Sequence, residues 1–172
     1  MGQAAHLIRR FAGSLAPGGP APADEEWVAS VLGRGELELW RRMSAPDRRH
    51  AVGVARRVED ALGDRADRPV LAAALLHDVG KVESGLGTGA RVVATVAGMV
   101  LGRRRAASWR GRPGPAGRLG TYLDHPDIGA ELLRRTGADP LTSAWAGCHH
   151  LPPDRWTVDP EVGKALKEAD DD

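Results

Sequence analysis

The sequence predicts an all-α fold, a single domain built as a compact bundle of about seven to nine helices. Apolar residues recur at three- and four-residue spacings along most of the chain, which is the spacing of one helix face. With five tryptophans, one tyrosine and one phenylalanine in 172 residues, alanine, leucine and valine must build most of the core. That composition favours closely packed helices over a sheet. No stretch shows a convincing strand pattern.

Four helices are predicted in the first part of the chain, at 3–15, 24–33, 36–43 and 44–62. Asp24 and Ser44 each precede an apolar-periodic run, so we expect them to be the N-caps of their helices. We expect residues 1–43 to form N-terminal helices that pack on the core. Residues 44–172 would then form the main body of the domain.

The second part of the chain is predicted to begin with a helix at 68–80 that ends at Gly80, a C-cap glycine. Another apolar helix follows at 91–101. An arginine-rich insertion at about 102–120 contains glycine and proline throughout and has no periodicity, so we predict no regular helix there. Three final helices are predicted at 126–136, 139–148 and 159–169.

Charge and composition exclude several classes of protein. The net charge of +1 does not favour a nucleic-acid partner. The longest apolar stretch, 92–101, falls far short of the roughly 20 residues of a membrane-spanning helix. The single cysteine, Cys148, suits a reducing compartment and is expected to be a small buried residue. We therefore expect a cytoplasmic protein without a membrane partner.

Histidines and aspartates gather at the predicted helix ends, where apolar runs stop. Burying such groups costs several kcal/mol unless something compensates them. Imidazole nitrogens and carboxylate oxygens together suit iron, manganese, zinc, nickel or cobalt. Taken singly, each residue could be a helix cap or a hydrogen-bonded histidine, and Asp170 could belong to an acidic tail. Taken together they indicate a metal site, and the set can supply the ligands that two bridged ions would need, although the sequence leaves one or two ions open. The candidate ligands are His50, His77, Asp78, His125, His149, His150 and Asp170.

Five stretches that contain these residues resemble a known family. "RRHAVGVARRV", "ALLHDVGK", "HPDIGAELLRR", "CHH" and "LKEADD" are similar, in this order, to the motifs of the HD superfamily of metal-dependent phosphohydrolases. The resemblance covers about residues 49 to 171. Within the superfamily, the chain is most similar to the stand-alone, HDIG-type members with five histidines and two metals. It implies His50 as the first ligand, His77–Asp78 as the signature pair, His125 and His149 as additional ligands, and Asp170 as the closing aspartate. His150 stays an alternative to His149, or a ligand of a further ion.

The resemblance also implies a chemistry. Asp78 would bridge two divalent transition-metal ions that lower the pKa of a shared water, and the resulting hydroxide would attack phosphorus. Iron or manganese is favoured, with zinc, nickel, cobalt or magnesium as alternatives. Lys81 would bind a substrate phosphate as a point charge. Alternatively, Lys81 would only interact with the dipole of its helix.

The arginine-rich insertion is a candidate for binding substrate. Between Glu83 and Asp124 the chain has no acidic residue and seven arginines. Such one-sided charge suggests a lid that attracts phosphates, with Arg103, Arg104 and Arg105 as its centre. The alternative is a solvated surface loop.

Three classes of function stay open. The first, which we favour, is a phosphohydrolase or phosphodiesterase that acts on a small phosphoester or nucleotide-like substrate. The second is a non-catalytic metal-containing sensor or partner-binding domain, and the third is a mixed-valent di-iron oxygenase built on the same ligands. The sequence also leaves a homodimer open.

Overall fold

Ten α-helices account for most of residues 18–171, the part of the chain that the computed structural model describes. The helices are α1 Pro22–Val31, α2 Arg34–Arg42, α3 Ala45–Leu62, α4 Arg68–Leu76, α5 Thr88–Leu101, α6 Arg103–Ala107, α7 Gly114–Leu123, α8 His125–Arg135, α9 Pro140–Cys148 and α10 Pro160–Asp171. Three 3-10 helices form at Gly63–Arg65, Val79–Glu83 and Pro153–Arg155. Residues 18–171 contain no strand, so the predicted all-α class is confirmed. The helix predicted at 3–15 lies outside the described residues.

The helix count exceeds the predicted seven to nine because the arginine-rich insertion is helical. We predicted no regular helix at 102–120, yet α6 and most of α7 lie there. Gly117 and Gly120 explain how this segment folds. A Cβ atom at Gly117 would lie 1.8 Å from the Arg112 carbonyl oxygen, and one at Gly120 would lie 2.3 Å from the Arg110 backbone nitrogen. The glycines that suggested a loop therefore let the chain at 109–112 pack against α7.

Proline and short polar side chains mark where the helices begin. The Ser44 hydroxyl accepts a hydrogen bond from the Asp47 amide at the start of α3, as predicted, and the Asp139 carboxylate caps α9. Asp24 is not an N-cap, because α1 begins earlier, at Pro22, and Ala21 occupies the cap position. Proline at the first helical turn has no amide to leave unsatisfied and brings a suitable φ, which explains the earlier start.

The hydrophobic core lies around α4. Every residue from Val70 to Leu76 is buried, as expected for a short helix that is apolar on all sides. Helices α3 and α9 pack directly on α4, while α8 packs on α9 and α10 packs on α3. Val28 of α1 and Trp40 of α2 belong to the same core and are fully buried. Helices α3, α4, α8, α9 and α10 therefore share one core.

A second, smaller cluster joins α5, α6 and α7. Ala94, Ala106, Tyr122 and Leu123 are its buried members. Much of α5 lies outside this cluster, since Val93 is 65% exposed and Val100 is 78% exposed. None of the helices in residues 18–171 combines the length and apolarity that crossing a bilayer would take.

Gly80 has a different role from the predicted C-cap. Helix α4 ends at Leu76, and Gly80 lies within the 3-10 helix Val79–Glu83 without a positive φ. A Cβ atom at Gly80 would lie 2.0 Å from the His125 carbonyl oxygen and 2.6 Å from the Gly129 backbone nitrogen. Glycine is needed here because the backbone after α4 touches the backbone of α8. This contact places Asp78 beside His125.

Candidate metal centre

The predicted ligands come from five separate parts of the chain and meet at one place. His50 lies on α3, and His77 and Asp78 follow α4. His125 begins α8, His149 and His150 follow α9, and Asp170 lies in the last turn of α10. The side chains form two groups. Within each group, all candidate ligand atoms lie within 4.8 Å of one another. One group is Asp78, His125, His149 and His150, and the other is His50, His77 and Asp170.

Three buried histidines each make the same kind of local hydrogen bond. The Nδ1 atoms of His77, His125 and His149 lie 2.8, 2.7 and 2.9 Å from the backbone carbonyl oxygens of Ala74, Tyr122 and Ala146 respectively. In each case the carbonyl lies three residues earlier, near the end of a helix, where carbonyls lack an intrahelical partner. Because a carbonyl only accepts, Nδ1 must carry the proton. In the neutral ring this leaves Nε2 as the atom with a free lone pair.

The Asp78 carboxylate lies between these rings. Its Oδ1 atom is 3.1 Å from His125 Nε2 and 3.7 Å from His149 Nε2. Its Oδ2 atom is 3.4 Å from His77 Nε2 and also accepts a hydrogen bond from the Lys81 ammonium. Asp78 thus presents one oxygen to each side of the cluster.

Asp170 completes the other side. Its Oδ1 atom lies 2.9 Å from His50 Nε2 and 3.5 Å from His77 Nε2. His77 therefore stands between two carboxylates, and Asp78 and Asp170 are both next to the same imidazole. The side chain of His50 is 26% exposed, so the cluster reaches the protein surface on this side.

His150 differs from the other histidines of its group. It is exposed, and its Nε2 atom lies 3.3 Å from His125 Nε2. Its ring centroid is 4.0 Å from that of His149. The fold thus brings both His149 and His150 to the cluster, with His149 buried inside and His150 at the edge.

Burial and charge set the protonation of the cluster. Burial disfavours the charged form of His77, but the carboxylates of Asp78 and Asp170 outweigh it and raise the His77 pKa to about 10. Burial lowers the pKa of His125 to about 4 and also lowers the pKa of His149. At neutral pH the rings of His125 and His149 are therefore neutral.

The half-buried Lys81 forms an ion pair with the buried Asp78. Burial disfavours the carboxylate of Asp78, but the charges of Lys81 and His77 outweigh it and hold the Asp78 pKa well below its usual value. Burial also disfavours the charged Lys81, and the Asp78 carboxylate outweighs it, so the Lys81 pKa is raised. Lys81 is thus one turn from the signature pair, as predicted, and it contacts Asp78 directly.

The residues present fit divalent metal ions. The Nε2 atoms of His77 and His149 are buried and have no hydrogen-bond partner among residues 18–171, although both lie near carboxylate oxygens. Leaving a buried polar atom unsatisfied costs about 1–3 kcal/mol, so such an atom needs an explanation. A bound cation supplies this explanation, at the lone pair of His149 and in place of the Nε2 proton of His77, since imidazole and carboxylate are common ligands of transition metals. The carbonyl bonds at Nδ1 also orient the rings in the way that ligating histidines need.

The arginines between Glu83 and Asp124 serve partly to hold the fold together. Arg103, Arg104 and Arg105 lie on α6, and Arg105 is exposed. Arg91 instead pairs with Asp47 at 2.5 Å, and Arg110 pairs with Asp124 at 2.6 Å. Two of the seven arginines are thus engaged in ion pairs between segments of the fold.

The groups that support the candidate ligands were not predicted from the sequence. The carbonyls of Ala74, Tyr122 and Ala146 were missed, although a histidine directly after an apolar helix is a usable signal for such a bond. Arg57 was missed as well. It donates two hydrogen bonds to the carbonyl of Ala169, next to Asp170, and its position seven residues after His50 on α3 places it on the same helix face.

The fold and the site define an all-α protein with a histidine and aspartate centre suited to divalent metal ions. The family model of the HD domain matches residues 48–171, well over half of the chain. The chain therefore belongs to the HD domain family. No curated protein and no solved structure matches it.

Proposed function

We propose that this protein is a metal-dependent phosphohydrolase or phosphodiesterase that acts on a small phosphoester or nucleotide-like substrate. Membership of the HD domain family supports a metal-dependent hydrolase. The observation that carries the proposal is the convergence of His77, His125 and His149 on Asp78. Each of the three rings has Nδ1 bonded to a carbonyl and Nε2 directed to the cluster.

Two divalent ions, with iron or manganese favoured, fit the two groups of ligands. His50, His77 and Asp170 would hold one ion, and Asp78, His125 and His149 the other, with His150 as a further or alternative ligand. Bound ions would supply a Lewis acid that activates water near neutral pH and neutralises charge on a phosphoryl group.

In this proposal Lys81 both orients the Asp78 carboxylate and binds the substrate. One of its N–H groups donates to Asp78 Oδ2 and orients the carboxylate. An ammonium has three donors, so the others are free to bind a phosphate oxygen of the substrate. The Lys81 side chain is 15% exposed, which supports access from solvent.

The test is hydrolysis of a panel of nucleotides and phosphoesters by the wild-type protein with added Mn²⁺ or Fe²⁺. We expect phosphate release by the wild type and a loss of at least 100-fold in Asp78→Ala, because this change removes the carboxylate between the two groups. Asp64→Ala is the matched control, since Asp64 is exposed and lies beyond the end of α3, more than three helical turns after His50. It should keep full activity.

Phosphate release, oxygen consumption and metal content together separate the hydrolase from the other two classes of function. A wild type that binds metal but releases no phosphate from any member of the panel would favour the sensor or partner-binding domain. Oxygen consumption that depends on both iron and Asp78 would favour the di-iron oxygenase. A protein that contains no metal after purification without chelator, and takes up none on addition, would contradict the metal centre itself.

A further inference from the structure

Arg57 makes a forked contact with the backbone directly before Asp170. Its Nε and Nη2 atoms donate to the carbonyl oxygen of Ala169 at 2.9 and 2.7 Å. These bonds link α3 to the last turn of α10 across 112 positions of sequence. Both bonds go to this one oxygen.

The contacted carbonyl belongs to a helix end. In the described helix, Pro160–Asp171, the Ala169 carbonyl is among the last four, which no amide of residues 18–171 reaches within the helix. A positive charge at this end is also favourable for the helix dipole. Arg57 therefore stabilises the last turn of α10, and Asp170 is part of that turn.

Residues of α3 contact both the backbone of this turn, at Ala169, and the side chain of Asp170. Asp170 Oδ1 lies 2.9 Å from Nε2 of His50, which is seven residues before Arg57 and on the same face of α3. Two helical turns, about 10 Å, separate the Cα atoms of His50 and Arg57. The Arg57 side chain covers part of this distance because helical side chains point towards the N-terminus of their helix.

Gly53 leaves the space for this arrangement. A Cβ atom there would lie 3.3 Å from Arg57 Nη1, a tight contact, so the guanidinium runs directly over Gly53. A glycine in the middle of α3 costs the helix roughly 0.5–1 kcal/mol relative to alanine. That cost is explained if the position of the guanidinium matters.

We propose that Arg57 is a positioning residue, which fixes the last turn of α10 so that the Asp170 carboxylate faces His50 and His77 ready to hold a metal ion. The inference rests on the metal centre of the proposed function and not on the reaction. A lysine cannot replace the arginine, because a single ammonium does not reproduce the planar fork on one oxygen.

The experiment measures Mn²⁺ binding to the full chain by the loss of the free-ion resonance signal. We expect Arg57→Lys to weaken the binding of one ion 10- to 100-fold, the usual effect of losing a group that orients a ligand. Arg65→Lys is the matched control. Arg65 also contacts α10, through Glu161 at 2.6 Å, but at the opposite end of the helix from Asp170. The Arg65→Lys variant should therefore bind Mn²⁺ with the same affinity as the wild type.

Coupling to Asp170 distinguishes positioning from general support of the fold. In an Asp170→Asn background, Arg57→Lys should cause less than a twofold further loss of Mn²⁺ affinity, because the carboxylate that it positions is gone. An equal loss with and without Asp170 would overturn the inference, as would unchanged affinity in Arg57→Lys. If the wild type binds no Mn²⁺ or other divalent ion, the proposed function fails. If the wild type binds and Arg57→Lys binds equally well, only this inference fails.

Discussion

A histidine binds a metal through a nitrogen that carries no proton, so its other nitrogen must be fixed by a hydrogen bond. In this chain the backbone does that for His77, His125 and His149, each time with the carbonyl three residues before. The carbonyl at a helix end gains a partner, and the ring gains a fixed orientation. One contact thus serves both the fold and the site, which explains why the ligands lie where helices stop.

The protonation of His77 leads to a first prediction. With its pKa raised to about 10 by Asp78 and Asp170, His77 holds a proton on both nitrogens at pH 7 in the metal-free protein. A metal at Nε2 must displace one proton, so metal binding should release protons and the affinity should rise with pH between about 7 and 10. Calorimetric titration with Mn²⁺ in buffers of different ionisation enthalpy measures this release. Identical binding enthalpies in all buffers would show that no proton leaves.

Gly80 gives the second prediction. A Cβ atom there would lie 2.0 Å from the His125 carbonyl oxygen, a backbone atom that cannot move aside without shifting α8. We expect Gly80→Ala to lower the free energy of unfolding by about 1–3 kcal/mol or more, the cost of overpacking, and to reduce metal binding because His125 moves. Urea denaturation and elemental analysis measure the two effects.

The control for Gly80 is Gly89, in α5. A Cβ atom at Gly89 meets no atom within 4 Å, and its φ is not positive. Gly89→Ala should therefore keep or raise stability by up to about 1 kcal/mol, the helix propensity difference. Equal behaviour of the two variants would contradict the close approach of the two backbones at Gly80.

At the scale of elements, periodicity predicts the central helices well. Helix α3 was predicted at 44–62 and is found at Ala45–Leu62, and the predicted 139–148 corresponds to Pro140–Cys148. Here an apolar face, a polar cap and proline all agree. The helix predicted at 68–80 is instead cut at Leu76, because the turn at His77 and Asp78 is determined by contact with α8, which no local pattern contains.

For the site, too, local sequence predicts some features, and others depend on contacts between distant parts of the chain. The candidate ligands could be named from residue type and from the resemblance, because histidine and aspartate at helix ends are visible in the sequence. The supporting groups could not. Whether Arg57 reaches the Ala169 carbonyl depends on how α3 and α10 pack, and the helices of the insertion depend on the close contacts of Gly117 and Gly120.

Helix α6 supplies the third prediction. Its arginines belong to a segment of forty residues, 84–123, that contains no acidic residue, and they are proposed to attract a phosphorylated substrate. Replacing Arg103, Arg104 and Arg105 together by glutamate should raise KM at least tenfold with little change in kcat, and more strongly at low salt. Steady-state kinetics on the most active substrate of the panel measures this.

A triple charge reversal elsewhere controls for the change in net charge. Arg34 and Arg41 lie on α2 and Arg135 ends α8, and all three are exposed. Their replacement by glutamate should leave KM within about twofold of the wild type. If the α6 variant behaves in the same way, the arginines are a solvated surface and not part of substrate binding.

At the scale of the whole molecule, the centre is where five segments of the bundle meet. Helices α3, α8 and α10 and the turns after α4 and α9 each contribute at least one candidate ligand. Without metal, the buried His77 and Asp78 depend on one another and on Lys81 for compensation. The cluster therefore has a cost to the fold that a bound cation would offset.

Removal of metal gives the last prediction. A ligand that binds only the folded state stabilises it by about 2.7 kcal/mol at one hundred times its Kd, and 1 kcal/mol shifts the Tm of a domain of this size by about 2–4 °C. Chelation should therefore lower Tm by roughly 5–10 °C, and excess Mn²⁺ should restore it. The double variant His77→Ala, Asp78→Ala has lost a ligand from each group, so its Tm should not respond to the chelator. A wild type whose Tm stays constant, while elemental analysis shows that its metal has been removed, would mean that the ions do not join these five segments.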